Sequence, residues 1–241
     1  MPLSDSAVIS ALARLGSSAL DSRIYVVSSA EPSVYSHPSR IRSFDPEGKT
    51  DPAGKAPAVQ LPALSRSWCM PNVSTFSMPP VLDLLQRWLP ASPGAQRWID
   101  PFVGDSPVGF LCEATNDLDA AKTATHHLEA LDFLRSFADS PRLDGVLFDP
   151  PRNSTALSET MRRAGLKPSM QDTQGSWLSA RRMGAAFLLK VDGLAICAGW
   201  NSGGLGRSNG CELLEVLLVA HGGSFPDTIV TVERKTRETL Y

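Results

Sequence analysis

The sequence predicts an α/β protein with a doubly wound, mostly parallel sheet and an antiparallel strand near its end. Three observations carry that expectation. Short apolar runs alternate with helix-like segments between residues 81 and 200. Apolar runs stop at or just before a carboxylate at Asp100, Asp117 and Asp149. Two more apolar runs close the chain around a short glycine-containing stretch, as a hairpin does.

Taken in order, residues 4–15 read as a short amphipathic helix with Val8, Leu12 and Leu15 on one face. Residues 23–27 are strand-like. Six prolines and two glycines then fall between Glu31 and Pro62, which marks a long loop. Residues 1–66 are therefore expected to form an extension, and residues 67–241 the main domain. Val81 to Leu89 reads as a helix stopped by Pro90. Trp98-Ile99-Asp100 reads as a strand, Phe110 to Thr115 as a second, and His126 to Leu128 as a weak third. Leu131 to Phe137 is helical by spacing. Val146-Leu147-Phe148 is the fourth strand and Leu194 to Trp200 the fifth. Leu213 to Ala220 and Thr228 to Val232 form the closing hairpin. That gives seven strands.

The composition narrows the function classes. The chain has 241 residues, 42% hydrophobic and 20% charged, enough for one good core and a small appendage. A formal net charge of -2 gives no global basic field, so any nucleic-acid contact must be local. No apolar run approaches the ~20 residues that a membrane helix needs. The start of the chain lacks the basic and apolar regions of a secretion signal. Cys69, Cys112, Cys197 and Cys211 show no paired spacing and no histidine at ligand distance, so they read as small hydrophobes in a reducing cytoplasm, with no metal.

Four strand ends could carry chemistry. Asp100-Pro101-Phe102-Val103-Gly104 ends the first strand, and Gly104 lets backbone approach a ligand. Asp117 follows the second strand, where a carboxylate can accept from ribose hydroxyls or cap a turn. Glu129 follows the third, where it could meet a nucleobase amine or simply start a helix. Asp149-Pro150-Pro151-Arg152 ends the fourth. There a carboxylate and a proline carbonyl offer two acceptors on stiff backbone, which suits an exocyclic amine with its two N–H donors. His126 and His127 are not needed as bases, and His221 reads as structural.

In the order Thr75-Phe76-Ser77-Met78-Pro79-Pro80, Asp100-Pro101-Phe102-x-Gly104 and Asp149-Pro150-Pro151, the chain resembles the amino-group DNA methyltransferases. The stretch Gly199 to Gly206, then Glu215 to Gly223, Asp227-Thr228-Ile229 and Val232-Glu233, is similar to adenine-specific methylases of phages and prophages. The resemblance covers roughly residues 68–235. It implies a Rossmann-like class I methyltransferase fold and S-adenosylmethionine as cofactor. It implies methylation of the N6 amine of adenine flipped out of double-stranded DNA, in the cytoplasm of a bacterium or phage-infected cell.

Residue by residue, the resemblance places Phe76 and Ser77 near the methionine part of the cofactor. Asp100, Phe102 and Gly104 would line methionine and ribose, Asp117 would take the ribose hydroxyls, and Glu129 the cofactor's adenine amine. Asp149 and the Pro150 carbonyl would hold the target amine, with Pro151 and residue 152 completing the catalytic motif. Two positions depart from the family pattern: Ser106 stands where many relatives have glycine, and Arg152 where an aromatic is usual. A guanidinium can stack on a base, bind a phosphate, or mark an altered target or lost catalysis.

From Arg152 to Met183 six basic residues face two acidic ones, a local surplus of +4. Arg152, Arg162, Arg163, Arg181 and Arg182, with Asn201 and Arg207 in the loop after the fifth strand, are the candidate nucleic-acid contacts. RNA, the cytosine N4 amine, and a non-catalytic nucleic-acid-binding protein are the alternative readings.

Overall fold

The computed structural model describes residues 61–140, 142–172 and 174–239. The helix and strand expected within residues 4–27, and the long loop up to residue 60, lie outside them. Seven strands form one sheet: β1 (Ala63–Trp68), β2 (Trp98–Asp100), β3 (Ala114–Thr115), β4 (Leu143–Phe148), β5 (Leu189–Gly199), β6 (Cys211–Ala220) and β7 (Thr228–Lys235). Their order across the sheet is β1-β6-β7-β5-β4-β2-β3. All neighbours are parallel except β7, which runs antiparallel to both β5 and β6. Among the described residues the α-helices are α1 (Pro79–Trp88), α2 (Ala130–Arg135), α3 (Ser154–Arg163) and α4 (Gly175–Leu188). The expected α/β sheet with one antiparallel late strand is present.

Period-2 alternation along the strands feeds two cores, one on each face. Trp98, Leu147, Ile196, Ala198, Val230 and Val232 pack with Phe76, Val81, Leu84 and Leu85 of the α1 side. Ile99, Val146, Phe148, Ala195 and Cys197 pack with Phe133 and Leu134 of α2 and Ala185, Ala186 and Leu188 of α4. Gly145 is required where β4 passes β2, because a Cβ there would stand 2.3 Å from the Trp98 ring.

Several elements differ from the sequence reading. The expected strand from Phe110 to Thr115 is a 3-10 turn at Gly109–Leu111 followed by only two paired residues. Leu111 packs into the α1-side core instead of joining the sheet. The expected third strand is a single parallel bridge between Asn116 and His126. The sheet still has seven strands because β1 adds to its other edge, beside β6. The expected domain boundary at residue 66 falls inside β1. Helices α3 and α4 occupy a stretch that its charge marked only as a basic flank. Among the described residues no helix is long and apolar enough to cross a membrane, and no cluster of three His, Cys, Asp or Glu could hold a metal ion. Cys197 and Cys211 are buried thiols, and Cys69 and Cys112 are half-buried.

Candidate active site

The parallel strands bring their carboxyl ends to one edge, where Asp100 ends β2 and Asp117 and Asp149 follow β3 and β4. Asp100 is fully buried. Its Oδ1 accepts from the Phe102 N–H at 2.9 Å, a turn closing directly on the strand end. Its Oδ2 is buried without a partner. Burial, reinforced by the charges of Asp149 and Asp117 and opposed by the Phe102 N–H, pushes the Asp100 carboxyl up to about 8. A buried carboxylate oxygen without a donor is costly unless a ligand supplies one.

Asp117 is engaged on both oxygens. Oδ2 accepts from the Gly104 N–H at 3.0 Å, and Oδ1 from the Asp119 N–H at 2.8 Å. The first bond ties the loop after β2 to the loop after β3. Each oxygen keeps a further lone pair for a hydroxyl. Asn116, buried and absent from the sequence-based candidates, holds the same region. Its Nδ2 donates to the carbonyls of Pro101 and Leu128 at 3.2 and 3.0 Å, and its Oδ1 accepts from the Leu128 N–H at 2.9 Å. One side chain thus joins three candidate cofactor loops.

Glu129 takes the helix-starting role. Its Oε2 accepts from the Leu131 N–H at 2.8 Å and caps α2. Its Oε1 accepts from Arg181 Nε and Nη2 at 2.9 and 2.5 Å. Arg181 also donates to the Trp177 carbonyl, and its guanidinium lies 4.0 Å from that indole's centroid. Trp177 in turn stands 6.3 Å from the Phe102 ring, which meets Phe148 edge-on at 5.2 Å. Phe102 therefore packs between the β4 end and α4.

Asp149 lies enclosed at the sheet edge yet keeps partial exposure. Burial raises its carboxyl, while the polar influence of the nearby Thr75 side chain and the charge of Arg152 pull it back. Arg152 Nη2 donates to that same Thr75 Oγ1 at 3.1 Å. Pro150 is buried, and Pro151 and Arg152 are half-buried. Thr75, only 3% exposed, opens the motif quoted from the sequence but was given no role there, unlike Phe76 and Ser77. Phe76 is itself a core residue of the α1 side, and the Ser77 hydroxyl donates to the Ser74 carbonyl at 2.7 Å.

The candidate nucleic-acid residues separate. Arg162 and Arg163 are exposed at the end of α3, and Asn201 is exposed just past β5 at the site's edge, where its Oδ1 accepts from the Gly203 N–H. Arg181 is turned inward onto Glu129, so we set it apart from the outward-facing arginines. Arg182 is also partly inward: its Nε is buried, and its charge acts on Glu233 and Cys197. Arg207 is displaced for a topological reason. The chain after β5 crosses the sheet instead of staying over the site. Buried Glu233 of β7 draws it down, accepting from the Leu205 and Gly206 N–H groups at 2.5 and 3.0 Å. Gly204, at φ +48°, leaves no room for a Cβ beside the Glu233 carboxylate. The Arg207–Asn209 turn then lies by Lys235, whose Nζ donates to the Asn209 carbonyl at 2.9 Å. By strand register Lys235 is level with the start of β4, about 16 Å from the Asp149 level at ~3.3 Å per residue.

His126 and His127 serve local hydrogen bonds, to Thr125 Oγ1 and the Asp117 carbonyl. His221 joins Cys69 to Thr228 through its two ring nitrogens, the structural part expected of it.

No protein-family model matches the chain, and no curated protein matches it. Solved structures similar to it include TrmN from Thermus thermophilus, at 21% identity over 66% of this chain and 49% of that one, TM-score 0.41. The N-methyltransferase NodS from Bradyrhizobium japonicum WM9 is 8% identical over 64% and 94%, TM-score 0.43. The Thermus thermophilus 16S rRNA methyltransferase RsmC, solved with AdoMet and guanosine, is 16% identical over 70% and 42%, TM-score 0.37. The chain spans about half the length of TrmN and less than half that of RsmC. The architecture rests on the sheet order and register, not on these likenesses.

Proposed function

We propose that the protein transfers a methyl group from S-adenosylmethionine to the N6 amine of adenine in DNA, with the base taken out of the duplex. The observation that carries this reading is Asp149 at the carboxyl end of β4. It is followed at once by a buried proline and stands within the electrostatic reach of Asp100. Open α/β sheets bind ligands at this edge.

The residues present fit such a cofactor. Asp100 Oδ2 lacks a donor, and an ammonium group would provide one together with the opposite charge. Asp117, fixed by Gly104 and Asp119, keeps lone pairs for two ribose hydroxyls. Glu129 is committed to Arg181 and Leu131, so we assign it to building the cofactor wall in place of binding an adenine amine. The cofactor, when bound, supplies an electrophilic methyl sulfonium.

The chain's own part is to prepare the nucleophile. Asp149 and the Pro150 carbonyl accept the two amine N–H bonds, which shifts lone-pair density back onto nitrogen. Asp149 must be ionised to accept; burial works against that form and raises the carboxyl, and the Thr75 side chain and Arg152 charge partly offset it. Asp149 then holds the proton released as the N–C bond forms, until water removes it. Phe102 and Trp177 give the site an apolar wall against bulk water.

Methyl transfer from labelled cofactor to DNA tests the reading. Asp149→Ala is expected to reduce transfer by at least 10²-fold while leaving cofactor binding in place, because it removes an acceptor used in the transition state. Unchanged transfer in that variant would remove Asp149 from the site. One observation favours a second reading, a nucleic-acid-binding protein without turnover: Arg152 is tethered to Thr75 where the resemblance expects a stacking aromatic. DNA binding without transfer in the parent protein would select it. A product carrying N4-methylcytosine, or methylated RNA only, would keep the acceptor pair and change the substrate.

A further inference from the structure

We propose that three exposed rings at the carboxyl edge of the sheet, Trp68, Phe225 and Trp200, form a stacking track for unpaired nucleotides of the target strand, beside the base held at Asp149. The inference rests on the reading of Asp149 given above and narrows its substrate: the strand is unpaired over a few nucleotides on one side of the target.

Among the described residues only three aromatic side chains are exposed: Trp68, Phe225 and Trp200, at 63%, 57% and 49%. All three stand at one edge of the sheet. Trp68 ends β1, Trp200 follows β5, and Phe225 sits in the turn between β6 and β7. Strands β1, β6 and β5 run the same way as β4, so this is the edge that carries Asp149. The strand order β1-β6-β7-β5-β4 sets the rings out in a row leading to the site. A run of exposed apolar side chains of this kind marks a binding face.

The chain between Trp68 and Thr75 follows the same row. Four strand spacings separate β1 from β4, about 19 Å in all. Seven residue steps reach at most about 25 Å. The segment therefore runs close to full extension along the edge, with Met70 and Val73 exposed on it. It ends at Thr75, whose Oγ1 accepts from Arg152. His221 ties the loops of two rings together. Its Nδ1 donates to the Cys69 carbonyl at 2.7 Å, and its Nε2 meets Thr228 Oγ1 at 2.8 Å. The Trp68 indole lies against the β6–β7 turn, since a Cβ at Gly222 would stand 3.6 Å from its Nε1.

The composition of these loops selects the ligand. Residues 68–74, 200–206 and 221–226 contain no Asp, Glu, Lys or Arg. They have no cation to grip a phosphate and no carboxylate to repel one. Nucleobases have apolar faces that stack on aromatic rings whatever the sequence. A paired duplex hides those faces in its own stack, so the ligand is unpaired. The row ends where the target base is held, and what continues from that base is its own strand.

The probe is a fluorescein-labelled single-stranded oligodeoxynucleotide with one adenine, followed by anisotropy in the presence of S-adenosylmethionine. Trp68→Ala and Phe225→Ala are each expected to weaken its binding about tenfold. The slope of log affinity against log salt should stay parental, because rings and not charges are removed. Trp68→Phe and Phe225→Tyr should keep most of the affinity. S-adenosylmethionine binding, measured by calorimetry, should be parental in all four variants. In methyl transfer, a duplex mismatched on one side of the target should outpace the fully paired duplex, and Trp68→Ala should lose that advantage.

Parental affinity in both alanine variants overturns the proposal. So does a parent that binds the fully paired duplex better than the single strand. Dimerisation that Trp68→Ala abolishes would assign the row to a second copy of the chain. Tryptophan emission that shifts to the blue on phosphatidylcholine vesicles, and not on the oligonucleotide, would assign it to a membrane; either result overturns the track. Binding that depends on the rings without any methyl transfer keeps the track and removes the function assigned to Asp149. Transfer that is indifferent to the rings does the reverse.

Discussion

Asp100 combines full burial, an unpartnered oxygen and two carboxylate neighbours, and this has a measurable consequence. Unfolded, an aspartate releases its proton near 4; folded, Asp100 does so at about 8. Between those values the folded state holds a proton that the unfolded state has lost. Stability from this group therefore falls as pH rises from about 4 to about 8, and levels off above. Denaturant unfolding at pH 5.5 and 8.5 should show that loss in the parent and a smaller one in Asp100→Asn. An equal loss in both would remove Asp100 as its source. At this scale the sequence was legible where a carboxylate and proline cut off an apolar run, as at Asp100 and Asp149. It gave no role to Thr75 or Asn116. Thr75 matters through Arg152, 77 residues away, and Asn116 through two carbonyls that only the folded loops bring near.

Among the elements, the segment carrying α3 and α4 shows how far a charge count reaches. Six basic residues suggested a continuous phosphate-facing flank. In the fold Arg162 and Arg163 point outward from the end of α3, whereas Arg181 pairs with Glu129 and Arg182 buries its Nε. The sign of a residue's charge says nothing about which side of a helix it occupies, and the partner of Arg181 lies 52 residues earlier. Arg162→Ala with Arg163→Ala should weaken DNA binding across sequences and make the slope of log affinity against log salt shallower by about two. An unchanged slope would exclude α3 from the phosphate contacts. The edge strand β1 escaped notice for a different reason. Its sequence, ALSRSW, lies at the sheet edge almost wholly exposed, so it needs no apolar alternation. Strands β4 to β7 were legible because they are buried on both faces and read as apolar runs.

For the molecule as a whole, the sheet sorts function by edge. The carboxyl ends of β2, β3 and β4 gather three carboxylates, and among the described residues no group of three His, Cys, Asp or Glu could hold a metal ion. The opposite edge is structural, with buried Lys235 donating to the carbonyls of Ala186 and Asn209 and to Thr239 Oγ1. The loop after β5 joins the two edges, which is why Arg207 belongs with the second. This division makes the central claim specific: the β4 end holds an exocyclic amine for methylation. Mapping methylated bases in DNA from cells expressing the protein tests it most directly. The account predicts N6-methyladenine in a defined sequence context with the parent chain, and none with Asp149→Asn. Unmodified adenine throughout, in cells where the folded protein is present and binds S-adenosylmethionine, would contradict it.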